Sequence, residues 1–496
     1  MACPLRLQGI ECVSLFYFAL LTGILNTTMR LLIFLLLIVG SGGLYSQKDS
    51  VEIRCKVQGL KSGTVKLISV FGDQNLFVDS TFSNAQGEFE WIRKKPYHPG
   101  YYYLILPDYT NFHMILDLDQ DFSMHTTKED LIGNMQIQGS IDNQLLYETL
   151  KLQLRHEFAM DSLNAMRNAK ANDSVALKKY DVEVKKIIDE KKNQLDGFIK
   201  KYPNVFFVKF KRAGQNPDLV DVRKANGEID RDQQLELFRQ AYWDNVDLSD
   251  KRLLYTPVLV NKLKKFIVEL TPQHPDSIIR QADFIIKKSL ANKEIFQFVS
   301  NWIALNYEPT KTKVMDGEAV FVHILDKYFT KENAFWMDDK ELAAIKKKVY
   351  EMQSSCLGCQ GQDIVSTDLN GATRSIYELK EDFVIVYMYD PDCDHCQKET
   401  PQLVQFYKEW KSKGVEVFAV VLNSTDQKWR DFVKKYQTDL WINVHDPTNR
   451  SIYAKYFVDI TPEIYVLNKE RKIVGKNLKP DQIKLIIEKE LASKSK

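Results

Sequence analysis

A surplus of charge of either sign is missing from this 496-residue chain: 68 Lys and Arg stand against 66 Asp and Glu, a net charge of +2. That balance argues against the clearly basic face that nucleic-acid binding demands, so no nucleic-acid partner is expected. Lysine-rich runs such as "KLKKF" and "IKKKVY" read as solvated helix faces. Histidine is scarce, eight in all, and His156, His274 and His323 are scattered, so no metal site is suggested and no cofactor is expected. No exact internal repeat is present. Cysteine is also sparse, seven residues, yet four of them form two CxxC pairs.

What is present begins with two apolar runs near the start. "MRLLIFLLLIVGSGGLYSQ" (Met29 to Gln47) has a basic residue, an apolar stretch from Leu31 to Val39, then small and polar residues. This is a secretory signal pattern over 29–46, with a cut expected after Ser46. The stretch is short for a membrane span of ~20 residues. No cysteine follows it at once, which disfavours a lipoprotein anchor. The earlier run, "VSLFYFALLTGIL", is separated from it by Asn26, Thr27, Thr28 and Arg30. Translation starting at Met29 accounts for residues 1–28 as a spurious upstream segment; an uncleaved two-part membrane anchor is the alternative. Removing the leader takes away Cys3 and Cys12 and leaves Cys55, Cys356, Cys359, Cys393 and Cys396. An exported chain in an oxidising compartment can keep such pairs as disulfides.

The length predicts several domains at roughly 100–200 residues each, and three regions are legible. Residues 47–140 alternate in short apolar runs, "VEIRCKVQGL", "TVKLISV", "NLFVDSTF", "GEFEWI", "YYYLILPD", "FHMILDL" and "MQIQG", broken by Gly, Asn and Asp turns. They predict an all-β, sandwich-like domain, with Cys55 as a small buried hydrophobe on the first strand. Residues 141–352 switch to a helical period, as in "NQLLYETLKLQLRHEF" and "EIFQFVSNWIALNY", and predict an all-α domain. Tyr242 and Trp243 read there as core rather than as a partner surface. Residues 358–496 alternate strand and helix: "FVIVYMY" as a buried central strand, a helix from about Asp394 to Lys411, "VEVFAVVL", "QKWRDFVKKY", "LWINVH", "NRSIYAKYF", a hairpin of "EIYVLN" and "KIVGKN", and a closing helix.

The chemistry concentrates in "YDPDCDHCQKETP" (Tyr389 to Pro401). Cys393 falls where the central strand ends and the helix begins. Free N–H groups and the positive end of the helix dipole stabilise a thiolate there and lower its pKa. His395 and Lys398 add donors or positive charge; Asp390, Asp392 and Asp394 add negative charge that opposes it. Cys396, one turn on, is placed as the resolving sulfur of a two-electron exchange. Pro462, just before the strand "EIYVLN", is a candidate cis bond. Pro401, inside the helix, should kink it.

This C-terminal segment resembles the TlpA/ResA-like branch of the thioredoxin superfamily, on "GQDIVSTDLNG", "FVIVYMYDPDCDHCQKETPQL", "KGVEVFAVVLN" and "DITPEIYVLNKERKIVG". The resemblance implies a thioredoxin-like α/β fold and a thiol–disulfide oxidoreductase. It implies Cys393 and Cys396 as the redox pair, Pro462 as the cis-proline packed against it, and Thr461 as the neighbour whose backbone meets substrate. Glu399, in a C-x-x-C-x-x-E-x-P pattern, becomes the carboxylate that tunes the dithiol and handles protons; read alone it would be a solvated first-turn Glu. The chain has Asp392 where the family often has Trp, and Asp394-His395 where it often has Gly-Pro. A histidine at that place resembles more oxidising members. The β region resembles a domain found before envelope oxidoreductases, and the helical region, on "AYWDNVDLSDKRLLYTP", one of unassigned role found in the same company.

The second pair, Cys356 and Cys359 in "SSCLGCQG", precedes the first with 33 residues between them. A zinc ribbon wants about 15–20 residues between its knuckles, so a disulfide of its own, structural or relaying electrons to Cys393 and Cys396, is the better reading. The expectation is a multidomain, exported, envelope or periplasmic thiol–disulfide oxidoreductase. Its partners would be envelope protein thiols and disulfides, apocytochrome thiols among them, and a membrane electron donor or acceptor. A redoxin-type peroxidase and a non-catalytic envelope scaffold are the alternatives.

Overall fold

The computed structural model describes residues 51–494 apart from 170–172, 310, 313, 447–454 and 459. The segments 1–28 and 29–46, and most of the helix expected over "NRSIYAKYF", lie outside the described residues. The described chain divides into two compact units, residues 51–271 with 285–296 and residues 272–284 with 297–494.

The first unit opens with two four-stranded sheets. β1 (Val51–Gln58), β4 (Glu88–Arg93), β7 (Asp121–Thr127) and β8 (Gln136–Gln138) pair in the order β4-β1-β7-β8. β2 (Gly63–Phe71), β3 (Gln74–Ser83), β5 (Gly100–Ile105) and β6 (Asn111–Leu116) pair in the order β3-β2-β5-β6. Period-two alternation explains the pairing of faces: Val51, Ile53, Cys55 and Val57 of β1 point inward and share one core with Val65, Leu67, Tyr102, Leu104 and Met114 of the other sheet. Two sheets closed on one core are the sandwich that the alternation predicts. Cys55 is buried, and burial alone pushes its thiol far above the usual range.

Helix α1 (Ile141–Ala169) closes this core from its first turn. The Asn143 side chain accepts from the Ile115 N–H at 2.7 Å and donates to the Ile115 carbonyl at 2.8 Å, standing in for a neighbouring strand beside β6. α2 (Ser174–Lys201), α3 (Phe206–Ala213), α4 (Arg231–Ala241) and α5 (Pro257–Lys264) follow. Tyr242 and Trp243 are buried against Phe266, as core residues. His156 is buried and pairs with Glu190 at 2.9 Å.

Helices α6 (Pro275–Ser289), α7 (Lys293–Asn306), α8 (Gly317–Tyr328) and α9 (Asp339–Gln353) lead into the second sheet system. Its strands are β9 (Val365–Asp368), β10 (Thr373–Ser375), β11 (Phe383–Tyr389), β12 (Val415–Val421), β13 (Ile442–His445), β14 (Glu463–Leu467) and β15 (Ile473–Gly475). They form one seven-stranded sheet, β10-β9-β13-β12-β11-β14-β15, in which β11, β12 and β13 are parallel and β14 and β15 antiparallel. β11 is buried at all seven positions because both faces are covered. Phe383, Ile385, Tyr387 and Tyr389 join one core with α10 (Asp394–Trp410), α11 (Asp426–Tyr436) and α12 (Pro480–Lys494); Val384, Val386 and Met388 join the other. α10 runs on through Pro401, whose missing N–H leaves the Gln397 carbonyl without its i+4 donor.

A buried ion cluster ties α8 to the end of β15. Lys476 is fully buried and meets Glu318 directly, Asp316 at 3.6 Å and the Ser355 carbonyl at 2.6 Å. Asn477 donates to the second Glu318 oxygen, and Asp316 accepts from the Leu357 N–H at 3.2 Å. One cation among two buried carboxylates is tolerable only because each is also hydrogen-bonded. Burial raises the Asp316 carboxyl to about 6 against the opposing pull of Lys476. A native pKa above the unfolded value means that the native state holds the proton more tightly, so this group's contribution falls as pH rises from about 4 to 6. The Asp316→Asn variant should lack that fall, read as the urea midpoint at pH 4 and at pH 7. Lys476→Met strands both carboxylates and should destabilise this unit by about 3–5 kcal/mol, read by urea unfolding at pH 7.

Candidate active site

β11 delivers the chain to the sheet end as Asp390-Pro391-Asp392, and Cys393 becomes the N-cap of α10, with extended φ −81° and ψ 121°. The turn is set locally: the Asp390 side chain accepts from the Asp392 N–H at 2.9 Å, and the Asp390 carbonyl from the Cys393 N–H at 3.1 Å. In place of a cap oxygen, the Cys393 sulfur faces the Cys396 N–H at 3.4 Å. It lies 3.2 Å from the Thr461 carbonyl, to which the thiol donates. The Thr461–Pro462 bond is cis, and strand β14 begins at the next residue, Glu463. The arrangement brings Cys393, Cys396, Thr461 and Pro462 together.

The two thiols are unlike. Partial burial pushes Cys393 up, but contacts with the Cys396 thiol and N–H, with the Thr461 side chain and with the His395 backbone outweigh it and hold Cys393 below the ordinary thiol range. Cys396 is fully buried, and burial drives its thiol far above that range. Both are free thiols, so the pair stands in its dithiol form. Cys393 gives up its proton more readily than an ordinary thiol and is the attacking sulfur; Cys396 needs help to lose its proton.

Of the three acids feared to oppose the thiolate, Asp392 pairs with Lys428 at 2.5 Å. His395 is exposed, and it reaches Cys393 through its backbone. Lys398 is exposed too.

Glu399 departs from the reading of its position alone. It is only 8% exposed, one turn beyond Cys396 on the same helix face. One carboxylate oxygen meets Lys479 at 2.6 Å; the other, Oε2, is buried without a hydrogen-bond partner. Tyr387 of β11 stands over this face and donates to or accepts from Thr400 at 2.8 Å, while Thr400 donates to the Cys396 carbonyl at 2.7 Å. Lys479 and Lys428 were invisible to spacing, since they lie 80 and 36 residues from their partners.

Cys356 and Cys359 are joined as a disulfide. Their segment runs along β15, where the Gly358 N–H donates to Ile473 and the Ile473 N–H to Cys359. Ile473 lies level with Leu467 and hence with Val384, at the far end of β11 from Cys393. At ~4.8 Å per strand and ~3.3 Å per residue, the two cysteine pairs are on the order of 20 Å apart. Direct exchange between them would require this segment to leave β15. Among the described residues, no group of three or more His, Cys, Asp or Glu side chains is placed to hold a metal ion, and no helix is long and apolar enough to cross a membrane.

The arrangement of central strand, dithiol-capped helix and cis-proline strand on a covered sheet defines a thioredoxin-like protein, and a family model described as the AhpC/TSA family matches residues 357–476. The chain belongs to the ResA family of thiol–disulfide oxidoreductases. It is 31% identical over 120 residues to the thiol–disulfide oxidoreductase ResA of Bacillus cereus, covering 24% of this chain and 68% of that one. To the ResA of Bacillus thuringiensis it is 30% identical over 135 residues, 27% of this chain and 76% of that one. Among solved structures it is similar to a thioredoxin-like protein from Bacteroides caccae, at 19% identity over 55% of this chain and 97% of that chain with a TM-score of 0.45. Residues 225–355 match a domain of unknown function, DUF5106.

The unlike thiols predict selective labelling. At pH 7 iodoacetamide should alkylate Cys393 and leave Cys396 and Cys55 unmodified, read by mass spectrometry of the tryptic peptides.

Proposed function

We propose that the chain is an exported oxidoreductase that exchanges two electrons with protein disulfides and dithiols through Cys393 and Cys396. The observation that carries this is the contrast between a half-buried Cys393 held below the usual thiol range at a helix start and a buried Cys396 held above it. In the reducing direction the Cys393 thiolate attacks one sulfur of a substrate disulfide, and the substrate's other sulfur leaves as a thiolate. Cys396 then loses its proton to Glu399 and attacks the Cys393 sulfur. The mixed disulfide breaks, the substrate leaves as a dithiol, and Cys393–Cys396 is the oxidised product. The Thr461 backbone and Pro462 line the place where an extended substrate segment lies against the sulfur, and the exposed Ile460 beside them offers it an apolar contact. His395 adds an exposed imidazole at the mouth.

The leader pattern over 29–46 and the Cys356–Cys359 disulfide support an oxidising compartment outside the cytoplasm. Envelope protein thiols, apocytochrome thiols among them, are the proposed substrates. A reductant there must be recharged, and a membrane electron donor is the proposed source.

The test is a trap and a potential. In the Cys396→Ser variant, mixed disulfides should accumulate on Cys393 and collapse with dithiothreitol. The potential of the wild-type pair against glutathione, with Cys356 and Cys359 changed to Ser, decides direction: ~−270 mV marks a reductant and ~−120 mV an oxidant. Failure of the pair to exchange with glutathione at all would leave the scaffold reading, and rapid peroxide consumption would favour the peroxidase.

A further inference from the structure

The turn between β15 and α12 is held at both ends by groups outside the CxxC motif. At its start, Lys476 and Asn477 are bound to Glu318 of α8, and Asn477 takes a left-handed φ of 52°. Leu478 is buried under the sheet. At its end, the Lys479 N–H donates to the Gln482 side chain at 2.8 Å and the Gln482 N–H donates to the Lys479 carbonyl at 2.9 Å, so the Lys479 backbone is fixed at the start of α12. From there its ammonium reaches Glu399 Oε1 at 2.6 Å, an oxygen inside the domain, while the lysine stem stays half-exposed.

We propose that Lys479 is a positioning residue: anchored by the turn that Glu318 clamps, it holds Glu399 by one oxygen so that the buried, unpartnered Oε2 takes the proton of Cys396. This rests on the role of Glu399 proposed above. Lys479 from the turn and Tyr387 from β11 act on that carboxyl, and Cys396 lies three residues back on the same helix face. Only Lys479 among them carries positive charge. A buried carboxylate without a cation tends to take up a proton itself, and a cation within ~4–6 Å opposes that. The lysine thus supplies both aim and charge.

The step can be watched in the full chain with an aromatic disulfide of thionitrobenzoate. The Cys393 thiolate attacks it and releases one thionitrobenzoate anion. Cys396 passes its proton to Glu399, attacks Cys393 and releases the second, leaving a Cys393–Cys396 disulfide; the reagent has gained the two electrons that the dithiol lost. The first phase reports Cys393 and the second Cys396. For Lys479→Met we expect an unchanged first phase and a second phase slowed about tenfold at pH 6–7, the gap closing by pH 9 as the profile moves up by about one pH unit. Lys479→Arg should recover most of the rate, and Glu318→Gln should slow the second phase in the same direction. An unaltered second phase in Lys479→Met, with Glu399→Gln slow, overturns the role of Lys479 and leaves that of Glu399 standing. An unaltered second phase in Glu399→Gln overturns the reading on which it rests. Equal slowing of both phases with a lowered melting temperature would make Lys479 merely structural and also overturn the proposal.

Discussion

The redox pair depends on one constraint: a strand buried on both faces runs straight into a helix, and the residue at the junction is a cysteine. Because β11 is covered on each side, the chain reaches solvent only beyond the strand's ends, and Cys393 stands just past the C-terminal one. Because Cys393 caps α10, its sulfur receives the N–H that a cap oxygen would take. Because α10 must lie on the sheet, the next cysteine one turn along is buried. One sulfur is poised and its partner suppressed, with the Thr461 contact adding to what the junction itself supplies.

The three acids around the pair show how distance and solvent rank competing effects. Asp392 and Asp394 are exposed, where water and salt weaken their reach. The contacts with the Cys396 and His395 backbones and with Thr461 act at hydrogen-bond range on the sulfur itself. Lys428 further blunts Asp392. The short contacts win. Glu399 lies in the opposite regime: it is buried, so one charge at 2.6 Å dominates its surroundings.

Much of this was legible beforehand. "FVIVYMY" announces a two-face-buried strand because no position in it is polar, and the alternation in "VEIRCKVQ" announces a half-buried one. The CxxC at a strand-to-helix switch, and a proline just before a strand, mark the site by local rules alone. The burial of Glu399 was not legible from its position, since a glutamate near a helix start is ordinarily solvated; Lys479, from the turn before α12, meets it from a distant part of the chain. The Lys479 contact spans 80 residues and that of Asn477 with Glu318 spans 159, distances over which periodicity carries no information. Sequence patterns place an element's own face but not which distant side chain will meet it.

The strip from Cys356 to Gly361 has a further meaning. It lies beside β15 as an unofficial eighth strand, with the Gly358 N–H, the Ile473 N–H and the Gly361 N–H all paired across the gap. It therefore blunts an edge that would otherwise offer its donors and acceptors to any passing chain. The disulfide within it, and Asp316 just before α8, which accepts from its Leu357 N–H, hold it there. A molecule cut just before Ile364 would keep every element of the thioredoxin-like fold. It would also bare a sticky margin and leave a lysine in its interior with no counter-charge. The boundary of the oxidoreductase is thus set by what must be kept dry and paired, and it reaches back into the helices before it.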